Sequence, residues 1–343
     1  QHKQTIQNND DATTEEKEVA NNLVNASQQN VISKIDNATT NNQIDGIVSD
    51  GRQSINAITP DTSIKRNAKN DIDIKAADKK IKIQRINDAT DEEIQEANRK
   101  IEEAKIEAKD NIQRNSTRDQ VNEAKTNGIN KIENITPATT VKSEARQAVQ
   151  NKANEQINHI QNTPDATNEE KDEAKRLLEI SKNKTITNIN QAQTNNQVDN
   201  AKDNGMNEIA TIIPATTIKT DAKTAIDKKA EQQVTIINGN NDATDEEKAE
   251  ARKLVEKAKI EAKSNITNSD TEREVNGAKT NGLEKINNIQ PSTQTKTNAK
   301  QEINDKAQEQ LIQINNTPDA TEEEKQEATN RVNAGLAQAI QNI

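Results

Sequence analysis

Apolar residues are sparse in this chain but evenly spaced. In the stretch opening at Asp242, Ala251, Leu254, Val255, Ala258, Ala262 and Ile266 step by one, three or four residues, which draws one stripe along a helix of about 22 residues, roughly 33 Å long. Val275, Ala278, Gly282, Ile286 and Ile289 make a second stripe, and Ala299, Ile303, Ala307, Leu311 and Ile314 a third. Pro291 bars the second helix from continuing, and Asn315, Asn316, Thr317 and Pro318 break the third. The pattern predicts three helices and then begins again.

The recurrence has a fixed step. Asp-Ala-Thr segments open at Asp11, Asp88, Asp165, Asp242 and Asp319, each 77 residues after the last. Pro60, Pro137, Pro214 and Pro291 keep that step, as do Gly51, Gly128, Gly205 and Gly282. A period of this size without insertion or deletion marks a tandem array built on one repeating unit. The array is cut inside the pattern at both ends, so the chain reads as a fragment of something longer.

Helix starts are signalled by capping boxes, in which a Thr hydroxyl accepts from an early helix amide and an acid or amide three residues on reaches back. The first helix of each copy carries Thr13 with Glu16, Thr90 with Glu93, Thr167 with Glu170, and Thr244 with Glu247. The second carries Thr40 with Gln43, Thr117 with Gln120, Thr194 with Gln197, and Thr271 with Glu274. Gly282 is unusual inside a helix, where glycine costs about 1 kcal/mol against alanine. The Asn281-Gly282 pair could form a turn, but the stripe keeps phase across it, so we read a glycine that lets a neighbouring helix approach.

Three helices of similar length with short connectors pack as antiparallel neighbours, an up-down-up bundle. An odd number of helices makes the chain leave each unit opposite its entry, so the expected fold is all-α, three-helix bundles stacked end to end into an elongated rod. The residues do not say which connector is the junction between bundles.

Composition narrows the possibilities. With 29% hydrophobic and 30% charged residues and no Phe, Tyr, Trp or Cys, the cores must be thin. The net charge of −10 is spread without a basic block, which argues against nucleic acid or an anionic membrane as partner. No apolar run is long enough to insert in a membrane. His2 and His159 stand in different copies, and His159 falls on a solvent-facing position of its helix, so no catalytic base is available to a hydroxyl nucleophile. The cluster Asp242, Asp245, Glu246 and Glu247 lacks the oxygen spacing of a calcium loop and suits the first turn of a helix. We therefore expect no enzyme activity, no cofactor and no metal. Pairs such as Glu96 with Lys100 and Asp172 with Arg176 are placed to support the first helix by a few tenths of a kcal/mol.

Three segments carry a family resemblance: Asp-Ala-Thr-x-Glu-Glu-Lys at Asp165 to Lys171 and Asp242 to Lys248, Ala-Lys-x-Asn-Gly followed by an apolar residue at Ala124 to Ile129 and Ala278 to Leu283, and Ile-x-x-Ile-x-Pro at Ile132 to Pro137 and Ile286 to Pro291. Together they resemble the DUF1542-type repeats of giant staphylococcal cell-wall-anchored surface proteins such as Ebh, FmtB and SasC, across nearly the whole chain. The family's way of counting implies units at 61–136, 138–213 and 215–290, with partial copies at 1–59 and 292–343. It also implies an extracellular, wall-anchored location and roles in adhesion, aggregation and biofilm. From this we expect a stalk that projects an adhesive region, a monomeric fragment; the rival is a multivalent adhesin binding a host matrix protein or like repeats on other cells. Departures from the pattern are Lys80 at a stripe position held elsewhere by Ile157, Val234 and Leu311, and second glycines at Gly46 and Gly277.

Overall fold

The computed structural model describes all residues, 1–343. It contains fourteen α-helices and no strand: α1 (His2–Gln7), α2 (Thr14–Asp36), α3 (Asn41–Asn56), α4 (Ser63–Ile83), α5 (Asp91–Arg114), α6 (Arg118–Glu133), α7 (Thr140–Gln161), α8 (Asn168–Gln191), α9 (Asn195–Ala210), α10 (Thr217–Asn238), α11 (Asp245–Thr267), α12 (Glu272–Asn287), α13 (Gln294–Asn315) and α14 (Glu322–Asn342). In the order set by the Asp-Ala-Thr segments, α2, α5, α8, α11 and α14 are first helices, α3, α6, α9 and α12 second, and α4, α7, α10 and α13 third. The second helices are uniformly 16 residues long. Each begins just after its Thr cap and ends four positions before its proline, so the boundaries follow the capping and breaking residues closely.

Two units divide the chain, one of residues 1–152 with 181–209 and the other of 153–180 with 210–343. In the first, α4, α5 and α6 share one core: Ile72, Ile101, Ile112, Val121 and Ile132 are fully enclosed, with Ala68, Ala76, Ala97, Ala104 and Ala108 filling between them. Beside it, Ile6 of α1 packs with Ala20 and Val24 of α2, flanked by Ile55 and Ile58. In the second unit α10, α11 and α12 repeat the arrangement with Ile226, Val255, Ile266, Val275 and Ile286, while α13 and α14 pack as a pair. Alanine supplies much of each core, so helix axes can come close and hydrophobic stabilisation per bundle is modest.

Each glycine of the second helix lies inside the helix, not in a turn. A Cβ on Gly51 would fall 2.7 Å from a methyl carbon of Val31, and one on Gly282 would fall 2.5 Å from the Cβ of Ala262. Gly128 against Ala108 and Gly205 against Thr185 are at least as tight. Gly46 and Gly277, by contrast, have nothing near them.

Two expectations need correction. Leu254 and its counterpart Leu177 are 47% and 44% exposed, while Val255 and Leu178 beside them are buried. Adjacent helical positions diverge by about 100°, so on a stripe this narrow only one of the pair can face the core. The ion pairs of α8 also differ from those expected: Asp172 pairs with Lys175 at 3.1 Å and Arg176 with Glu173 at 2.7 Å. Lys80, half-buried at its stripe position, reaches an ion pair with Glu102.

Candidate functional site

The Asp-Ala-Thr-x-Glu-Glu segments become the joints between successive repeats. Each closes a cap on its own helix. The hydroxyl of Thr90 accepts from the Glu93 amide at 3.3 Å, and a Glu93 carboxylate oxygen accepts from the Thr90 amide at 2.9 Å. Thr13 with Glu16, Thr167 with Glu170 and Thr244 with Glu247 form the same reciprocal box. The second helices are capped likewise by Thr40 with Gln43, Thr117 with Gln120, Thr194 with Gln197 and Thr271 with Glu274.

The remaining donors and acceptors of the segment face the next repeat. The other oxygen of Glu93 accepts from the Thr140 and Val141 amides at 2.9 and 3.2 Å, at the start of α7. Glu16 takes the Ile64 amide at 3.0 Å, Glu170 the Ile218 amide at 3.1 Å and Glu247 the Thr295 amide at 3.1 Å. The preceding glutamate caps the next repeat's second helix: Glu15 accepts from the Arg118 amide, Glu92 from Asn195 and Glu169 from Glu272, at 3.0 to 3.1 Å. The amides of Thr14, Asp91 and Asn168 donate to the carbonyls of Ser116, Gln193 and Asp270, each at 2.8 Å. Asp88 pairs with Arg146 at 2.8 Å, Asp165 with Lys223 at 3.0 Å and Asp242 with Lys300 at 3.4 Å. Ala12, Ala89, Ala166 and Ala243 are buried beneath these contacts. Pro60, Pro137, Pro214 and Pro291 are buried too, in the connectors just ahead of the third helices.

A buried lysine completes the joint. Nζ of Lys142 donates to the carbonyl oxygens of Asn87 at 2.7 Å and Asn190 at 3.0 Å. Lys65 bridges Asp10 and Gln113, both at 2.8 Å, and Lys219 bridges Pro164 at 3.2 Å and Thr267 at 2.8 Å. Lys296, partly exposed, reaches the Asn241 carbonyl at 3.0 Å. Gln113, Asn190 and Thr267 lie in the last turn of a first helix, where free carbonyls and the helix dipole both favour a cation. The other carbonyl belongs to the connector of the preceding repeat.

The charges answer to this geometry. Burial opposes ionisation of Glu93 and Glu170, yet the amides and hydroxyls of the following third helix, with the box amide, outweigh it and hold both carboxyls below the usual value. The Thr244 amide, then the Thr295 amide, bring Glu247 down to about 2. The hydrogen bond from Arg146 lowers Asp88. Burial, followed by repulsion from Lys17 and Lys69, lowers the Lys65 ammonium.

The lysines at 65, 142, 219 and 296 were not among the residues singled out by pattern. Their signal was available, since they keep the 77-residue step of the prolines, each three places after a recurring threonine, Thr62, Thr139, Thr216 or Thr293. His159 is exposed, and His2 bonds the Ile58 carbonyl at 2.7 Å, so the histidines share no site.

A run of like joints between like helical bundles defines a tandem-repeat protein whose best-kept residues serve its neighbour contacts. The chain belongs to the family described as Domain of Unknown Function (DUF1542), which matches residues 1–63, 64–140, 141–217, 218–294 and 295–343. It is 25% identical over 334 residues to the "Extracellular matrix-binding protein EbhA" of Staphylococcus aureus strain Newman, covering 97% of this chain and 10% of that protein. The "Extracellular matrix-binding protein ebh" of strain NCTC 8325 is likewise 25% identical over 97% of this chain, which spans 4% of its length. In strain Mu3 the similar EbhA is 24% identical over 337 residues, 5% of its length. This chain thus spans a tenth or less of these relatives. No solved structure matches it. No helix is long and apolar enough to cross a membrane.

Proposed function

We propose that this chain is a non-catalytic spacer, a section of a bacterial surface stalk that holds another region away from the cell wall. The observation that carries the reading is the joint. The most regular residues of the sequence, the two glutamates and the lysine, are engaged with the neighbouring repeat and not aimed into a cleft. A spacer must keep its ends apart, so small-angle scattering should return a maximum dimension on the order of 130–150 Å for the whole chain. A globular radius would defeat the reading.

The names of the relatives favour a second reading, in which the repeats themselves bind extracellular matrix and many weak contacts add up. Surface-resonance titration of the chain against immobilised matrix proteins, and against itself, separates the two. Saturable micromolar binding supports the adhesin, and its absence supports the spacer.

A further inference from the structure

The third helices start without a capping box of their own, although Asp61 and Ser292 take the first amides of α4 and α13 at 3.0 and 3.1 Å. Thr62, Thr216 and Thr293 occupy the N-cap positions of α4, α10 and α13, and none makes a side-chain cap bond. A helix start leaves up to four amides unpartnered. Here the amides of Ile64, Ile218 and Thr295 are taken by Glu16, Glu170 and Glu247, residues of the repeat before. The first amide of α6, α9 and α12 goes the same way, to Glu15, Glu92 and Glu169. Two of the three helices in each bundle are therefore capped by the neighbouring repeat, and the buried lysine ties the same neighbour's connector to the end of the first helix.

We propose that this joint couples the folding of adjacent repeats, with the buried lysine as its central positioning residue, so that each bundle is held folded partly by contacts its neighbour supplies. Several facts favour coupling over mere touching. Lys142 and Lys219 are 2% exposed, and the ammonium of each is satisfied by backbone carbonyls from two repeats. Separating the repeats would leave a cation in an apolar setting with half its partners gone, or drive it to rearrange into water. The glutamate is in the same position from the other side, because losing the neighbour strips an oxygen of its amides and strips the third helix of its cap. Stability in such an array is a sum of repeat terms and nearest-neighbour terms, and these contacts fall in the second kind. The thin, alanine-rich cores make the neighbour term a larger share of the whole. This inference does not rest on the spacer reading, since an adhesin could be built on the same joints.

The test uses the full chain and the joint at Lys142. Lys142→Met keeps the stem of the side chain and removes its donors. Amide hydrogen exchange followed by mass spectrometry should show protection in the core segments of α4, α5 and α6 falling by about tenfold or more, although Lys142 lies outside that bundle. Ile209→Ala, a core truncation at the opposite end of α9 from the amide that Glu92 accepts, should lower protection in its own bundle and leave α4–α6 unchanged. Should Lys142→Met lose its helical circular dichroism, Glu93→Gln takes its place, with the loss read in the first half of α7. Unchanged protection across the joint in the folded variant overturns the proposal, and so does an equal loss in α4–α6 from Ile209→Ala.

Discussion

Gly282 of α12 lies so close to Ala262 of α11 that a Cβ built on the glycine would stand 2.5 Å from the alanine Cβ and 2.9 Å from Cδ1 of Ile226. Two effects then compete in Gly282→Ala. Helix propensity favours alanine by about 1 kcal/mol, whereas overpacking against a neighbouring helix costs about 1–3 kcal/mol. The obstruction is a short side chain fixed to backbone, with no flexible tip to move aside, so the cost wins and the bundle should unfold at lower urea. Gly277→Ala in the same helix meets nothing within 4 Å, so it should gain up to about 1 kcal/mol. Opposite shifts in urea midpoint are the expected result. Two shifts of the same sign would sink the close-approach account.

The reciprocal cap at Thr90 gives a second prediction. Thr90 is fully buried, and its hydroxyl accepts from the Glu93 amide while its own amide is held by the Glu93 carboxylate. Thr90→Ala leaves the half-buried Glu93 amide without its side-chain acceptor, and should cost about 1–2 kcal/mol. Thr90→Ser retains the hydroxyl and should recover most of it. Thermal melts of the two variants beside the parent chain decide the matter.

Much of this fold could be read from residue patterns, and the reasons are local. Helix starts were legible because Thr with Glu or Gln three residues on is a chemical instruction complete within four residues, as at Thr117 and Gln120. The close approach at Gly282 was legible because the stripe keeps phase through it. The joint was not, because half of it is backbone. Lys142 binds the carbonyls of Asn87 and Asn190, and the matching positions hold Asp10, Pro164 and Asn241 on one side and Gln113 and Thr267 on the other. Any residue offers a carbonyl, so the sequence there is free to drift and gives no sign of a contact. Glu93 was misjudged in scope for a related reason: its box accounts for one oxygen, and the partners of the other lie 47 and 48 residues away.

The exposed member of the Leu254–Val255 pair also leads to a test. Lys100 stands where Leu254 does, two repeats earlier and one repeat before Leu177, which shows that the position accepts a charge. Leu254→Lys should therefore change stability by no more than about 0.5 kcal/mol, as ordinary surface substitutions do. Val255→Ala opens a void in a core of small side chains and should cost about 1–3 kcal/mol. Chemical unfolding of both variants should separate them clearly. A Leu254→Lys chain as damaged as Val255→Ala would put the leucine back in the core.

The joints should weaken in acid, with a sign fixed by the carboxylates. Glu247 has an ordinary value of 4.5 and is brought down to about 2 in the folded chain by the amides of Thr244 and Thr295. Glu93 and Glu170 shift the same way. A carboxyl with a lower value folded than unfolded binds more protons when unfolded, so its contribution is complete above about 4.5 and is lost as the pH falls towards about 2. The contribution itself comes from hydrogen bonds to the ionised form, first from the Thr244 amide of its own box and then from the Thr295 amide across the joint. Glu247→Gln should thus melt below the parent chain at neutral pH, and the gap should close as the pH drops through that window. Melting curves for both chains, recorded at steps from neutral to about pH 2, provide the check. A gap that stays constant down to the acid end would mean that the carboxylate charge contributes nothing to the joint and that the amide of glutamine serves as well.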